Sequence, residues 1–192
     1  WRQQREIQQQ KDQADLLQLG FSTFFLNRTN RSGIIRGGVI GGKKQNGDWK
    51  MDVRFNKEEL INRIKKIARY EGRIELHNED AIEFINNVIN QIDENTLIYF
   101  DPPYYHQGAA LYANYYSPRD HAMLADFIQN LNCKWMLTYD HTDEVIDLYR
   151  NAERHVLSLS YTAQEKIRGN EMIAFSPLIN APTGKYSSVT II

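Results

Sequence analysis

From residue 56 onward the chain alternates between two hydrophobic periods. The stretch "KEELINRIKKIARYEG" puts Leu60, Ile61, Ile64, Ile67 and Ala68 on one helical face. Asn56 stands at its N-cap and Gly72 at its expected stop. Ile74–Leu76 reads as a short strand, and Asp80 as the cap of a helix running to about Val88 or Ile89. Leu97–Phe100 is a strand. Ser117-Pro118-Arg119-Asp120 combines an N-cap, a proline at the first helical position and an acid at the third, predicting a helix to about Leu131. Trp135–Thr138 is a strand and Thr142–Tyr149 a short helix. His155–Tyr161 and Met172–Phe175 are strands joined by a polar loop, hence an antiparallel pair. This alternation predicts an α/β fold with a mostly parallel sheet and helices on both faces. Ligands of such sheets bind at the carboxyl ends of the strands.

The first third reads differently. Residues 1–19 have a weak helical pattern. "LGFSTFFLNRTNRSGIIRGG" turns from apolar to basic and amide-rich, and "GGVIGGKKQNGDWKMDVRF" places Asn46-Gly47 between extended runs. Asn-Gly in that setting predicts a hairpin, with residues 48–55 as the return strand.

Charge sharpens this division. Residues 1–75 carry 16 Lys and Arg against 9 Asp and Glu, a net +7. The remainder, with 7 against 15, is −8. A basic half beside an acidic half fits a polyanion-binding part next to one that binds none; a solvated basic surface is the alternative. A single cysteine, Cys133, excludes an internal disulfide framework and a Cys-based zinc site, and fits a reducing cytoplasm. The five histidines lack metal spacing, so no metal is expected. His106 reads as a surface loop residue, and Trp49 and Trp135 as packing residues. No apolar run approaches a membrane span. The polar N-terminus "WRQQREIQQQKDQ" has no signal-peptide pattern and no initiating Met, so a fragment is expected.

The chemistry concentrates in "LIYFDPPYYHQ", Leu97 to Gln107. Two prolines end the strand, because each lacks an N–H and has a fixed φ. A rigid turn explains the prolines but neither the acid before them nor the tyrosine after. A clamp for an exocyclic amine on an aromatic base explains all four. Such an amine is a poor nucleophile until it pyramidalises, and two acceptors aimed at its hydrogens favour that change. Asp101 supplies one acceptor and the carbonyl of Pro102 the other. Pro103 fixes the turn, and Tyr104 offers a ring for stacking. A base in a duplex must be flipped out to reach such a pocket.

On these residues the chain resembles the N6-adenine-specific DNA methyltransferases, a bacterial and phage family that includes GATC-methylating enzymes. The intact Asp-Pro-Pro-Tyr core and the "FFLNRTNRSGIIRGG" segment are the specific matches. "RFNKEELINRI", "LHNEDAIEFI", "LYANYYSPRDHAMLADFI", "KWMLTYD" and "LSYTA…GNEMIAF" are softer ones. The resemblance implies a Rossmann-like methyltransferase core using S-adenosylmethionine on adenine in double-stranded DNA. It implies a cytoplasmic enzyme, of a restriction-modification system or a phage. Residues 1–73 would be part of a DNA-recognition insertion and 74–192 the C-terminal part of the catalytic domain. Asp101, Pro102, Pro103 and Tyr104 would be catalytic, and Asp80 and Asp101 would meet the cofactor. Asn27, Arg28, Asn30, Arg31, Arg36, Lys43, Lys44, Gln45 and Asn46 would face DNA, with both phosphate and base-edge chemistry among them. Glu171 would either order the pocket or be an exposed strand acid.

The family's first strand and glycine loop have no match here. "GGVIGG" lies in the expected hairpin and is not read as the cofactor loop. Weak or absent cofactor binding and an apolar edge at Leu97–Phe100 are therefore expected. Two other readings stay open. One is an inactive DNA-binding remnant. The other is a methyltransferase acting on a cytosine amine, an RNA base or a protein glutamine, the last disfavoured by Asp101.

Overall fold

The computed structural model describes residues 1–106, 115–163, 165–182, 184–186 and 189–191. The chain forms two compact units, Trp1–Leu76 and His77–Ile192. Residues 111–114, which open the "LYANYYSPRD" stretch, and Gln107 lie outside the described residues.

In the first unit α1 (Arg2–Gln9) is followed by α2 (Leu16–Thr29). Asp15 caps α2 by accepting from the Gln18 amide. Asn30 ends α2 and is fully buried. Its Oδ1 accepts from the Trp1 indole at 2.6 Å, and its Nδ2 donates to the carbonyls of Ile34 and Ile35 at 2.9 and 3.0 Å. One amide thus ties the start of the chain to the loop after α2.

The expected hairpin does not form. Residues 40–54 are a series of turns, and only an isolated bridge joins Asn30 and Val39. The glycines and Gln45 decide this. Gly41, Gly42 and Gln45 adopt positive φ, which breaks an extended strand. The Gln45 side chain then holds the coil, donating to Ile40 and Gly42 carbonyls and accepting from the Met51 amide. Trp49, expected to pack, is 58% exposed.

Asn56 caps α3 (Lys57–Ala68) through the Glu59 amide, as predicted. The helix ends four residues before Gly72, which falls in a 3-10 turn. Of its apolar face only Leu60 is buried; Ile61, Ile64 and Ile67 are exposed. Ile74–Leu76 is extended but pairs with no strand, so it is not the predicted β element.

The second unit holds α4 (Ala81–Val88), β1 (Leu97–Phe100), α5 (Pro118–Gln129), β2 (Lys134–Asp140), α6 (Asp143–Leu148), β3 (Glu153–Ala163), β4 (Glu165–Phe175), β5 (Gly184–Tyr186) and β6 (Val189–Ile191). Asp80 caps α4, Thr142 caps α6, and Ser117 with Asp120 forms a full capping box on α5. Residues 162–163 and 165–171 continue β3 and β4, where a polar loop was expected. The short β5 and β6 have no clear period-2 signal and were not predicted.

The six strands lie in the order β1-β2-β4-β3-β6-β5. Among the described residues only β1 and β2 pair in parallel; the other four pairings are antiparallel. The expectation of mostly parallel pairing is therefore corrected. Parallel pairing needs a long crossover, and β1 to β2 has one through α5. Yet β1, β2 and β3 run in the same direction, because β4 is a reversed strand inserted between β2 and β3.

The helices also fall on one face. Ile85 of α4, Leu124, Ala125 and Ile128 of α5, and Val145 of α6 share one core with Phe100, Trp135, Leu137, Tyr139, Met172 and Ala174. The other face carries a smaller cluster of Leu157, Ile173 and Phe175, covered by Met136, Ile179 and Ala181 rather than a helix. Each large side chain in the main core contributes about 1.5–3 kcal/mol by burial. β1 lies at one end of the sheet, with Leu97 and Tyr99 each 52% exposed. Of the apolar edge expected over Leu97–Phe100, these two residues are exposed, while Ile98 is half-buried and Phe100 buried.

Candidate functional site

The Asp-Pro-Pro-Tyr corner begins where β1 ends, beside the carboxyl end of parallel β2. Phe100 anchors it from below, buried opposite Leu137. Asp101 is exposed, and Pro102, Pro103 and Tyr104 are half-buried. All peptide bonds at the corner are trans.

Three contacts hold the corner from β2 and β4. The Tyr99 hydroxyl lies 2.5 Å from Thr138 Oγ1, and the Thr138 hydroxyl donates to Asp101 Oδ1 at 3.4 Å. Tyr104 donates its hydroxyl to Glu171 Oε1 at 3.4 Å. The Tyr105 amide donates to both carboxylate oxygens of Asp140, at 3.1 and 3.2 Å. Strand alternation puts Tyr99, Thr138, Asp140 and Glu171 on the same side of the sheet, away from the helices.

Below Tyr105 lies a buried aromatic group. The Tyr105 and His121 rings are 4.8 Å apart, and His121 Nδ1 is hydrogen-bonded to the Tyr139 hydroxyl. His121 is 2% exposed, and burial holds its pKa below the ordinary value. Burial also pushes the Tyr139 hydroxyl far up, so it stays protonated. Neighbouring His106 is exposed, with Nε2 3.3 Å from Glu144 Oε1, as its reading as a loop residue requires.

Asp80 sits at the N-terminus of α4, exposed, and both its cap bonds use Oδ1, to the Ile82 and Glu83 amides. The positive-φ glycines Gly33, Gly41 and Gly42 lie in the first unit and Gly184 opens β5, so none follows the carboxyl end of a strand.

The nine residues expected at DNA divide into two groups. Asn30 and Gln45 are committed to the internal hydrogen bonds described above. Arg28 is half-buried and donates to the Arg54 carbonyl, while Asn27 donates to the Gly33 carbonyl. Arg31, Arg36, Lys43, Lys44 and Asn46 are exposed. For Asn30 the structure corrects the expectation, because a fully buried amide with three internal bonds cannot reach a base.

Sequence reasoning missed Asp140, Thr138 and His121. Asp140 carried a usable signal, since it ends β2 as Asp101 ends the neighbouring β1. Thr138 and His121 carried none, because their partners are 37 and 18 residues away.

The class that this α/β unit and its corner suggest is that of methyltransferases. The family model of the D12 class N6 adenine-specific DNA methyltransferases matches residues 2–163, and the chain belongs to that family. Comparison with curated proteins gave no match. Among the described residues no helix is long and apolar enough to cross a membrane.

Proposed function

We propose that the chain carries the acceptor side of a methyl transfer to the N6 amine of adenine in duplex DNA. The observation that carries this reading is the tethering of the Asp-Pro-Pro-Tyr corner. An exposed carboxylate and a half-buried tyrosine stand at the carboxyl end of β1, each hydrogen-bonded to a neighbouring strand. The run of β1, β2 and β3 in one direction, with β4 reversed between them, supports a Rossmann-like core.

In this mechanism Asp101 accepts one hydrogen of the amine and the Pro102 carbonyl the other. The nitrogen pyramidalises and its lone pair leaves the ring. Tyr104 stacks the flipped base, and Pro103 keeps the two acceptors at fixed separation. S-adenosylmethionine, when bound, would supply the electrophilic methyl and would leave as the demethylated thioether. Asp101 is in place to take the proton that the amine then releases. Asp80 would meet the adenine end of the donor. Arg31, Arg36, Lys43, Lys44 and Asn46 would meet DNA from the first unit, chiefly through phosphates.

The test is methyl transfer from labelled donor to an unmethylated duplex by the full-length protein. Asp101→Ala should abolish transfer and keep DNA affinity within about twofold, since only transition-state contacts are removed. Retained turnover would remove Asp101 from the mechanism. A second reading is a DNA-binding protein without turnover. DNA binding by the wild-type protein without label transfer would establish it.

A further inference from the structure

We infer that Asp140 is a positioning residue for the acceptor corner, an inference that rests on the proposed role of Asp101 and Tyr104. Two observations carry it. First, Asp140 receives the main-chain N–H of Tyr105 on both carboxylate oxygens, at 3.1 and 3.2 Å. That amide directly follows Tyr104. Upstream, Pro102 and Pro103 have fixed φ but no N–H by which any neighbour can hold them. The chain's N–H donors resume only at Tyr104 and Tyr105, and the second of these is the one Asp140 takes. Capturing it fixes the far end of the corner, while Phe100 fixes the near end.

Second, Asp140 stands directly opposite Glu171 in the β2–β4 register. Each acid of this pair holds one of two consecutive tyrosines: Glu171 the hydroxyl of Tyr104, Asp140 the amide of Tyr105. Two facing residues of β2 and β4 thus hold adjacent residues of the corner. Asp140 touches no reacting atom. It acts through the backbone, setting where the Tyr104 ring and the Pro102 carbonyl lie.

The experiment compares Asp140→Ala, Asp140→Asn and Asp101→Ala in the full-length protein. Single-turnover transfer, DNA affinity and thermal unfolding are measured for each. Asp140→Ala should slow transfer by about tenfold to a hundredfold, because a misplacement of about 1 Å is costly in rate. DNA affinity and the unfolding temperature should stay close to wild type. Asp140→Asn keeps one acceptor oxygen, so it should recover part of the rate without loss of stability. Wild-type transfer in Asp140→Ala, with Asp101→Ala inactive, would overturn this inference alone. Loss of rate only in proportion to lost stability or DNA affinity would also overturn it, since that marks a purely structural role. Active Asp101→Ala would overturn the clamp itself, and this inference with it.

Discussion

The Thr138 hydroxyl, on β2, donates to the carboxylate of Asp101, at the end of β1, across 3.4 Å. Because Thr138 spends its proton on Asp101, the Tyr99 hydroxyl is the donor in their 2.5 Å contact. A relay of two hydroxyls thus orients the acid proposed to accept the amine. Thr138→Val keeps the shape and removes the relay. It should slow methyl transfer about fivefold, the worth of about 1 kcal/mol from one such bond. Single-turnover rates would show this, with DNA affinity as the control.

Asn30 and Arg36 should respond in opposite ways. Asn30→Ala leaves the Trp1 indole and the Ile34 and Ile35 carbonyls without their partner. The cost should be about 3 kcal/mol, read by denaturant unfolding. Exposed Arg36, changed to Ala, should leave unfolding unchanged. It should instead weaken DNA binding and reduce the slope of log affinity against log salt by about 1. An unchanged salt slope would take Arg36 out of the DNA contact.

His121 should make stability depend on pH. Burial lowers its folded-state pKa below the ordinary 6.5, opposed by nearby Asp140 and Asp120 and by a hydrogen bond to the Tyr116 backbone. Above 6.5 it is neutral in both folded and unfolded chains and this site exerts no pH effect. As pH falls below 6.5, the unfolded chain takes up the proton first, and stability is lost until the folded pKa is passed. His121→Gln should flatten the unfolding midpoint between pH 7 and 5. An unchanged slope would show that other groups carry the acid sensitivity.

The capping box on α5 should contribute measurably. Ser117 Oγ accepts from the Asp120 amide at 3.3 Å, and Asp120 Oδ2 accepts from the Ser117 amide at 2.8 Å. Ser117→Ala should lower stability by about 1 kcal/mol, seen as a lower unfolding temperature. Ser117→Asp, which can still accept from the helix amides, should restore most of it.

Much of this arrangement is legible locally. Caps at Asn56, Asp80 and Ser117, the strand Leu97–Phe100 and the corner after it all follow from residues within one turn of one another. The first unit is where local reading failed. Asn46-Gly47 is a hairpin signal only if the flanks are extended, and the positive φ of Gly41, Gly42 and Gln45 prevents that. The amide of Asn30 reads as a base-contacting group until its partner is seen to be Trp1, 29 residues earlier.

By itself the sequence determined where helices cap, which strand carries the acid, and that two prolines follow it. These are consequences of φ restriction and short-range hydrogen bonding. Only the tertiary structure decided what surrounds the acid. Inserting the reversed β4 between β2 and β3 brings Glu171 beside Asp140, and the β1–β2 pairing brings Thr138 to Asp101. Partners 31 to 67 residues apart meet because strand register, set by burying Phe100, Leu137 and Ala174 together, leaves them no other alignment.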